Sequence, residues 1–239
     1  MLRVFVITSD TYLWCLSPFS YLFNKYWSPE QEVVICGFHP PSFELPRNFK
    51  FYSMAPSNAP QSKWSNTLIK FLKEVQDEYS VLMLEDYWIT RPVDIEAINV
   101  IHSYMQSNNR VLRFDLTGDT AYCNGDPRYA PPFGFINHYD IVEKPPGMSY
   151  RMSLQAGLWN NKLLSSLLVS DKSPWEVEIQ TSVPNDILVL GTKQWPLLYA
   201  NAVYKGELDM DELNKLHPID FSIIEKVLPK DMNRRKKTE

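Results

Sequence analysis

The sequence predicts an α/β fold in which a mostly parallel central sheet is flanked by helices. Short apolar runs that suit buried strands alternate with segments of helical period over residues 2–115, and this alternation is typical of parallel α/β sheets. The most informative run is Ser80-Val-Leu-Met-Leu, which suits a strand buried on both faces. That run ends abruptly in two adjacent carboxylates, Glu85 and Asp86, which are followed by two aromatic residues.

The first half of the chain contains five predicted strands and three predicted helices. The strands cover residues 2–7, 32–37, 49–53, 80–85 and 110–114, and the helices cover residues 12–27, 64–78 and 94–106. The first helix is expected to break near Pro18. In the third helix, apolar side chains recur at helical spacing and are expected to face the core, namely Ile95, Ile98, Ile101 and Met105.

The second half has fewer periodic segments. Residues 117–150 are rich in Gly, Pro, Asn and Tyr, which predicts a functional loop or a small excursion. A helix is predicted from Ser173-Pro174, because a Ser cap followed by Pro and an acid is typical of a helix start. Other strands are expected at 151–159, 187–190 and 197–203, and other helices at 162–169, 209–215 and 218–227. We expect one domain over 1–227 and a basic, disordered tail over 228–239.

Composition narrows the class of protein. The 239 residues, 44% of them hydrophobic, suffice for a sizeable hydrophobic core. The net charge of −4 does not indicate a nucleic-acid partner. The three cysteines are odd in number and widely spaced, so neither a disulfide framework nor a zinc site is indicated. The amino terminus becomes polar too soon for a signal peptide, and no apolar run approaches the roughly 20 residues that span a bilayer. We therefore expect a soluble, cytoplasmic protein without a transmembrane segment.

Polar side chains follow two of the predicted strands. In an open α/β sheet, ligands bind at the carboxyl ends of the strands, where Glu85 and Asp86 would lie. Carboxylates placed there can hold Mn²⁺ or Mg²⁺, which in turn holds a phosphate. The alternative is that these two acids merely begin a solvated loop. Thr8, Ser9 and Asp10 follow the first strand and are placed to bind a nucleoside, although Ser9 or Asp10 could equally cap the next helix.

Three features in this order resemble glycosyltransferases of the GT-A fold, including small viral and bacterial members. They are Asp86 after its strand, the strand Ser-Leu-Gln-Ala-Gly-Leu-Trp159, and the helix Trp175-Glu-Val-Glu178. The resemblance implies a hexosyl- or deoxyhexosyltransferase that moves a sugar from a UDP- or GDP-linked donor to a hydroxyl of a glycan acceptor. It also implies Mn²⁺ or Mg²⁺ as cofactor with Asp86 as ligand, a nucleotide-sugar-binding half over 1–116 and an acceptor half over 117–227. The single Asp departs from the family's Asp-x-Asp motif.

The expected reaction inverts the anomeric centre and needs a general base near the acceptor hydroxyl. Trp175 and Glu178 are three residues apart and therefore share a helix face, whereas Glu176 and Glu178 point roughly 200° apart. Because Trp175 suits sugar stacking, Glu178 is the favoured base and Glu176 the fallback. The alternatives are that Glu176 stabilises the helix start and that Glu178 is an ordinary surface acid. The resemblance adds Trp159 as a second acceptor-binding residue.

Further residues complete the expected site. Tyr12 is expected beside the nucleoside, Lys63 and Trp64 in the wall of the donor pocket, and Lys205 near the diphosphate. The resemblance adds His217 as a further metal ligand. Plainer alternatives are a core anchor for Trp64 and an ordinary exposed lysine for Lys205.

Other readings of the same residues remain open. Arg113 and Asp115, at the end of the strand over 110–114, could bind sugar hydroxyls or pair with each other. A carbohydrate-binding protein without turnover would fit the abundant Trp and Tyr equally well. A nucleotidyltransferase also needs acids at strand ends, but the first strand here lacks the Gly-rich, basic loop that such enzymes use on triphosphates.

Overall fold

The computed structural model describes residues 2–54, 63–119 and 131–236. Its strands are β1 (Arg3–Ile7), β2 (Val33–Gly37), β3 (Phe49–Ser53), β4 (Tyr79–Leu84), β5 (Tyr87–Ile89), β6 (Val111–Asp115), β7 (Pro132–Ile136), β8 (Tyr139–Glu143), β9 (Gly157–Asn160), β10 (Leu188–Thr192), β11 (Tyr199–Asn201), β12 (Val203–Tyr204), β13 (Glu207–Asp209) and β14 (Arg234–Arg235). Its α-helices are α1 (Leu16–Tyr26), α2 (Trp64–Glu74), α3 (Ile95–Ser107), α4 (Asn161–Leu167), α5 (Pro174–Gln180), α6 (Met210–Leu213) and α7 (Pro218–Ile224). Two 3-10 helices lie at Asp10–Cys15 and Glu225–Val227. Cys123 and part of the predicted loop over 117–150 lie outside the described residues.

Nine strands form one central sheet in the order β3-β2-β1-β4-β9-β6-β10-β8-β7. Strand β1 pairs in parallel with β2 and β4, β2 with β3, and β6 with β10. Strands β8 and β9 are antiparallel to their neighbours, so seven of the nine strands run in one direction. The predicted α/β fold with a mostly parallel, helix-flanked sheet is therefore confirmed. Both predicted halves contribute strands to this sheet.

The sheet separates two apolar layers. Val4 and Val6 contact one layer, and the alternate residues Phe5 and Ile7 contact the other. A strand buried on both faces has no polar face, which is why these strands form continuous apolar runs in the sequence. Helices α1 and α3 cover the first face, and α2, α4 and α5 cover the second, through side chains such as Phe19, Ile101, Leu68, Leu164 and Val177. In the described ranges, none of the helices is long and apolar enough to cross a bilayer.

Two expectations about the helices are wrong in detail. Pro18 lies in the first turn of α1 and does not break it, because the first backbone N–H groups of a helix have no partner in the helix. Ile95 is the first residue of α3 and is 41% exposed, so it does not face the core. The other three apolar residues named for this helix are buried.

The second half contains more strand structure than expected around residue 140 and less around residue 155. Strands β7 and β8 form an antiparallel hairpin at one edge of the sheet, within the segment predicted as a loop. The predicted strand over 151–159 is reduced to β9, which lies antiparallel between β4 and β6. This insertion places Trp159 inside the core with no exposed surface.

The carboxyl-terminal segment folds back onto the domain. Strand β14 pairs in parallel with β13, with Leu208 opposite Arg234 and Asp209 opposite Arg235. Residues 228–236 of the predicted disordered tail therefore include secondary structure, and residues 237–239 lie outside the described residues.

A buried carboxylate attaches α7 to α1. The side chain of Asp220 has no exposed surface, and its oxygens accept hydrogen bonds from Tyr21 Oη at 2.8 Å, Lys25 Nζ at 2.5 Å and Tyr26 Oη at 2.5 Å. Burial by itself raises the pKa of Asp220, but the three hydrogen bonds together outweigh it, and the pKa lies below the usual value for Asp. The ionised form of Asp220 is thus stabilised in the fold.

Candidate active site

A cleft of about 740 Å³ opens at the carboxyl ends of β1 and β4, where α/β sheets bind their ligands. Residues that follow β1 and β4 form one wall, and residues of α5 and of the turn between β12 and β13 form another. The cleft brings together nine of the residues singled out from the sequence: Thr8, Ser9, Tyr12, Trp64, Glu85, Asp86, Trp175, Glu178 and Lys205.

Parallel pairing brings the polar ends of two strands together. In the register of β1 and β4, Ile7 lies opposite Leu84, so Thr8 and Glu85 leave the sheet side by side. Glu85 is buried, and hydrogen bonds from the Ser9 backbone and the Thr8 side chain reach its carboxylate. The first-strand residues therefore support the acidic motif directly.

The adjacent carboxylates of Glu85 and Asp86 are the main electrostatic feature of the cleft. Burial raises the pKa of Glu85, and the neighbouring Asp86 raises it further, against the hydrogen bonds from Ser9 and Thr8. Burial also raises the pKa of Asp86. Tyr12 lines the cleft together with this pair, and burial, followed by the charges of both carboxylates, raises the pKa of its phenol. A cation bound here would favour the ionised forms that burial disfavours.

The helix that carries the candidate base begins at a capping box. Ser173 Oγ accepts from the Glu176 backbone N–H at 3.3 Å, and Glu176 Oε2 accepts from the Ser173 backbone N–H at 2.8 Å. The predicted start of α5 is confirmed. Glu176 Oε2 also accepts from Ser173 Oγ at 2.8 Å, and the two hydrogen bonds that Ser173 donates to this carboxylate lower the pKa of Glu176, which is not part of the cleft wall. The geometry therefore supports Glu176 as a helix-start residue rather than as the base.

Glu178 lies half a helical turn further on and lines the cleft. Its Oε1 accepts a hydrogen bond from the Leu154 backbone N–H at 2.7 Å. Burial raises the pKa of Glu178, while this hydrogen bond and the charge of Arg113 lower it, and the net shift is upward. Trp175 lines the same cleft and is 59% exposed. The predicted helix phase, with Trp175 and Glu178 on one face, is confirmed.

Tyr87 interacts electrostatically with both the acidic motif and the candidate base. Burial raises the pKa of Tyr87, followed by the charges of Asp86 and Glu178, so both carboxylates lie within electrostatic reach of this phenol. Its ring stacks on Tyr199 with centroids 4.3 Å apart and planes 21° apart. Strands β5 and β11, which carry the two rings, pair with each other. Tyr87 lines the cleft, and the stack with Tyr199 restricts the orientation of its ring.

Arg113 and Asp115 pair with each other, which is the second of the two alternatives that the sequence left open for them. Arg113 Nη2 donates to Asp115 Oδ1 at 3.2 Å and to the Gln155 carbonyl at 3.1 Å, and both side chains are fully buried. The guanidinium carbon lies 5.5 Å from the ring centroid of Trp159. Through the Gln155 carbonyl, this buried network contacts a residue that lines the cleft.

Lys205 occupies a two-residue turn between β12 and β13. Its φ is 52° and that of Gly206 is 84°, a pair of positive values that is characteristic of a type I′ hairpin turn. For a residue with a Cβ, this left-handed conformation costs about 1 kcal/mol. The hairpin places the exposed ammonium of Lys205 at the edge of the cleft.

Two residues expected at the donor side are not part of the cleft wall. Asp10 pairs with His39, accepting from its backbone N–H at 3.1 Å and contacting its Nδ1 at 2.6 Å. Lys63 is an exposed residue at the N-cap position of α2, and its side chain does not cap that helix. Ser9 occupies the N-cap of the first 3-10 helix without a side-chain cap bond, so the alternative role of a helix cap is not observed for Ser9.

Two further predicted residues lie elsewhere in the fold. Trp159 was expected to bind acceptor, but β9 is an interior strand and its indole is fully buried. His217 was expected to ligate metal, but it is the N-cap residue of α7, where its Nδ1 accepts from the Ile219 backbone N–H at 3.3 Å. Neither side chain lines the cleft.

The residues present fit a divalent cation whose remaining coordination positions would be filled by water and by oxygens of the bound substrate. Over residues 2–54, 63–119 and 131–236, no group of three or more His, Cys, Asp or Glu side chains is arranged to hold a metal ion. Glu85 and Asp86 nonetheless provide adjacent carboxylates whose pKa values burial raises. Mg²⁺ commonly uses one or two carboxylates and completes its coordination with water and phosphate oxygens.

Among the cleft residues that the sequence did not indicate are Gln155, Asn201 and Tyr204. Asn201 reaches the cleft because it lies opposite Tyr87 in the β5–β11 pairing, which no local pattern indicates. Tyr204 could have been found, since it directly precedes the Lys-Gly turn.

No protein-family model matches this sequence, and no curated protein is significantly similar to it. Among solved structures, Staphylococcus aureus TarS 1–349 overlaps with a TM-score of 0.40 at 15% identity, over 80% of this chain and 59% of that chain. The complex of the same fragment with UDP gives a TM-score of 0.40 at 12% identity, over 80% of this chain and 60% of that chain. CMP:2-keto-3-deoxy-manno-octonic acid synthetase with CTP gives 0.37 at 9% identity, over 74% of this chain and 81% of that chain. This chain thus spans about three fifths of the TarS fragment, and overlaps this distant do not identify a function.

Proposed function

We propose that this protein is a glycosyltransferase that moves a sugar from a UDP- or GDP-linked donor to a hydroxyl of a glycan acceptor, with inversion at the anomeric carbon. One observation carries the proposal. A single cleft joins the acidic motif after β4 to the aromatic and acidic face of α5. A sugar transferase needs both parts in one place, because the leaving diphosphate and the attacking hydroxyl meet at the same carbon.

The donor side is assigned to the residues at the ends of β1 and β4. Thr8, Ser9 and Tyr12 lie where a nucleoside would meet the sheet. Lys205, at the edge of the same cleft, is assigned to the diphosphate, where an ammonium offsets the charge of the leaving group. Its position on a tight hairpin turn limits how far its backbone can move.

Asp86, which follows Glu85 in the chain, is assigned as a ligand of a divalent cation, Mn²⁺ or Mg²⁺. When bound, such an ion neutralises the charge that develops on the diphosphate. The support is the donor set itself, two adjacent carboxylates that burial disfavours in their ionised form. Oxygen ligands of this kind suit hard cations.

Glu178 is assigned as the general base. The Leu154 N–H holds its Oε1 in place, which leaves Oε2 to accept the proton of the acceptor hydroxyl. Burial raises the pKa of Glu178 towards the range in which a carboxylate transfers protons efficiently. Trp175, on the same helix face, offers a surface on which a sugar ring can stack.

The test is a thermal-shift panel of UDP- and GDP-sugars, each with and without Mn²⁺, followed by mass spectrometry of transfer to oligosaccharides. A ligand that binds only the folded state must raise the melting temperature. We expect one donor to raise it in a metal-dependent way in the wild type and not in Asp86→Asn. Asp10→Asn is the matched control, because Asp10 pairs with His39 and is not part of the cleft wall.

The same panel, extended with CTP and UTP and with a pyrophosphate assay, separates the competing functions. Binding of a nucleotide sugar without product, under conditions that saturate donor and acceptor, would point to a binding protein. Stabilisation by CTP or UTP in preference to any nucleotide sugar, with release of pyrophosphate, would point to a nucleotidyltransferase. Either result would overturn the proposed function.

A further inference from the structure

A second cavity, of about 570 Å³, lies beside the cleft. The two share Gln155, Asn201 and Tyr204 as a common wall. None of the residues assigned to the nucleoside or to the cation lines the second cavity. A group bound there therefore lies on the side of the cleft that faces away from the donor nucleoside.

The wall between the two cavities carries two cations on one aromatic ring. Lys205 Nζ lies 5.3 Å from the centroid of the Tyr204 ring and belongs to the cleft. Arg235 Cζ lies 4.1 Å from the same centroid and belongs to the second cavity. Pairing of β14 with β13 brings Arg235 to this position, so the carboxyl-terminal strand contributes a residue to the site.

The acids of the second cavity already have partners. Asp209 Oδ1 accepts from the backbone N–H groups of residues 211 and 212. Glu212 pairs with Lys215 at 2.6 Å, and Asp119 lies 3.4 Å from Arg113 and 3.7 Å from Lys144.

The two cations on Tyr204, Lys205 and Arg235, differ from these acids in having no oppositely charged partner among the described residues. Within residues 2–54, 63–119 and 131–236, neither Lys205 nor Arg235 has a carboxylate within 4.0 Å. Arg235 is half-buried as a residue, and the planar set of N–H donors of its guanidinium matches the two oxygens of a carboxylate or a phosphoryl group. The cavity therefore offers a guanidinium that is in salt-bridge distance of none of the described carboxylates, including the three acids that line the same cavity.

We propose that the second cavity is a subsite for an acidic sugar of the acceptor, whose carboxylate or phosphoryl group binds to Arg235. The proposal rests on the proposed glycosyltransferase function for the word acceptor, but the anion-binding site itself does not. The sugar hydroxyls lie against the polar side chains of the shared wall, Gln155 and Asn201. The substrate class is thus an anionic glycan rather than a neutral one.

The experiment measures binding of three probes, glucuronate, glucose 6-phosphate and glucose, by NMR titration of the full chain. We expect the wild type to bind both acidic probes at least tenfold more tightly than glucose. Arg235→Gln should lose about tenfold in affinity for the acidic probes, because one charge-assisted contact is lost, and should bind glucose as before. Arg234→Gln is the matched control, since Arg234 is the neighbouring residue of β14 and pairs with Glu225 at 2.9 Å.

A second variant and a second ligand make each result decisive. Arg235→Lys keeps a positive charge at the same position of β14 and should retain part of the affinity for the acidic probes, so the comparison separates loss of the charge from disturbance of the strand. Equal binding of glucose and the acidic probes, or equal losses in Arg234→Gln and Arg235→Gln, would overturn the proposal. A loss of UDP or GDP affinity in Arg235→Gln, with the acidic probes unaffected, would assign Arg235 to the donor diphosphate instead. Wild type that binds the acidic probes but no nucleotide would reject the glycosyltransferase function and keep the anion site.

Discussion

Glu178→Gln tests whether α5 carries the general base. Gln has nearly the same shape, and its carbonyl oxygen can still accept the hydrogen bond that Leu154 N–H donates at 2.7 Å in the wild type. The variant therefore removes the proton acceptor and little else. Loss of a general base lowers the rate by about 10²–10⁴-fold, which corresponds to roughly 3–5 kcal/mol of activation free energy. Donor affinity should not change, because the base acts mainly in the transition state.

The free energy of unfolding should move in the opposite direction from activity. Because the folded-state pKa of Glu178 is raised, chiefly by burial, the wild type loses stability as pH rises from the unfolded pKa, about 4.3, through the folded pKa. Gln has no charge to bury. We therefore expect Glu178→Gln to melt at the wild-type temperature near pH 4 and at or above it at pH 7.

The assay is a rate measurement with the donor found in the thermal-shift panel, combined with melting curves at pH 4 and pH 7. Glu176→Gln is the matched control, because Gln can also complete the capping box with Ser173, and its activity should stay near that of the wild type. An inactive Glu176→Gln beside an active Glu178→Gln would refute the assignment of the base. A Glu178→Gln variant that melts below the wild type at pH 7 would refute the reasoning about its burial.

Three further outcomes are expected. Asp86→Asn should abolish Mn²⁺-dependent nucleotide binding in calorimetry, and unchanged nucleotide affinity would remove Asp86 from the site. Because burial raises the pKa of Asp86, the same variant should not lower the melting temperature at pH 7. Asp220→Asn should cost about 2 kcal/mol, since Lys25 is 38% exposed and the pair is worth less than a fully buried one, and the melting temperature should fall by about 5 °C. The depressed pKa of Asp220 means that this difference is present above about pH 4 and closes as the pH falls further. Gly157→Ala should lower stability by about 1–3 kcal/mol in thermal melts, because its Cβ would lie 2.9 Å from Nε of the fully buried Arg113.

The sequence by itself determined the parts of this protein that depend on near neighbours in the chain. Apolar runs and helical periods identified β1 to β4, β6 and the α/β class, but not the short strand β5, because a doubly buried strand and an amphipathic helix leave different periods in the sequence. The capping residues placed the start of α5, and three-residue spacing placed Trp175 and Glu178 on one face. Glu85 and Asp86 were found because a buried strand ends in charge.

Tertiary structure decided what depends on pairing between distant segments. The insertion of β9 between β4 and β6 buried Trp159, which the sequence assigned to the acceptor site. Pairing of β5 with β11 brought Asn201 to the cleft, and pairing of β14 with β13 placed Arg235 on Tyr204. A short strand such as β14 has two residues and no period of its own, so its partner is chosen by the surface that the rest of the chain presents. That choice involves residues far apart in the chain, and local sequence patterns do not record it.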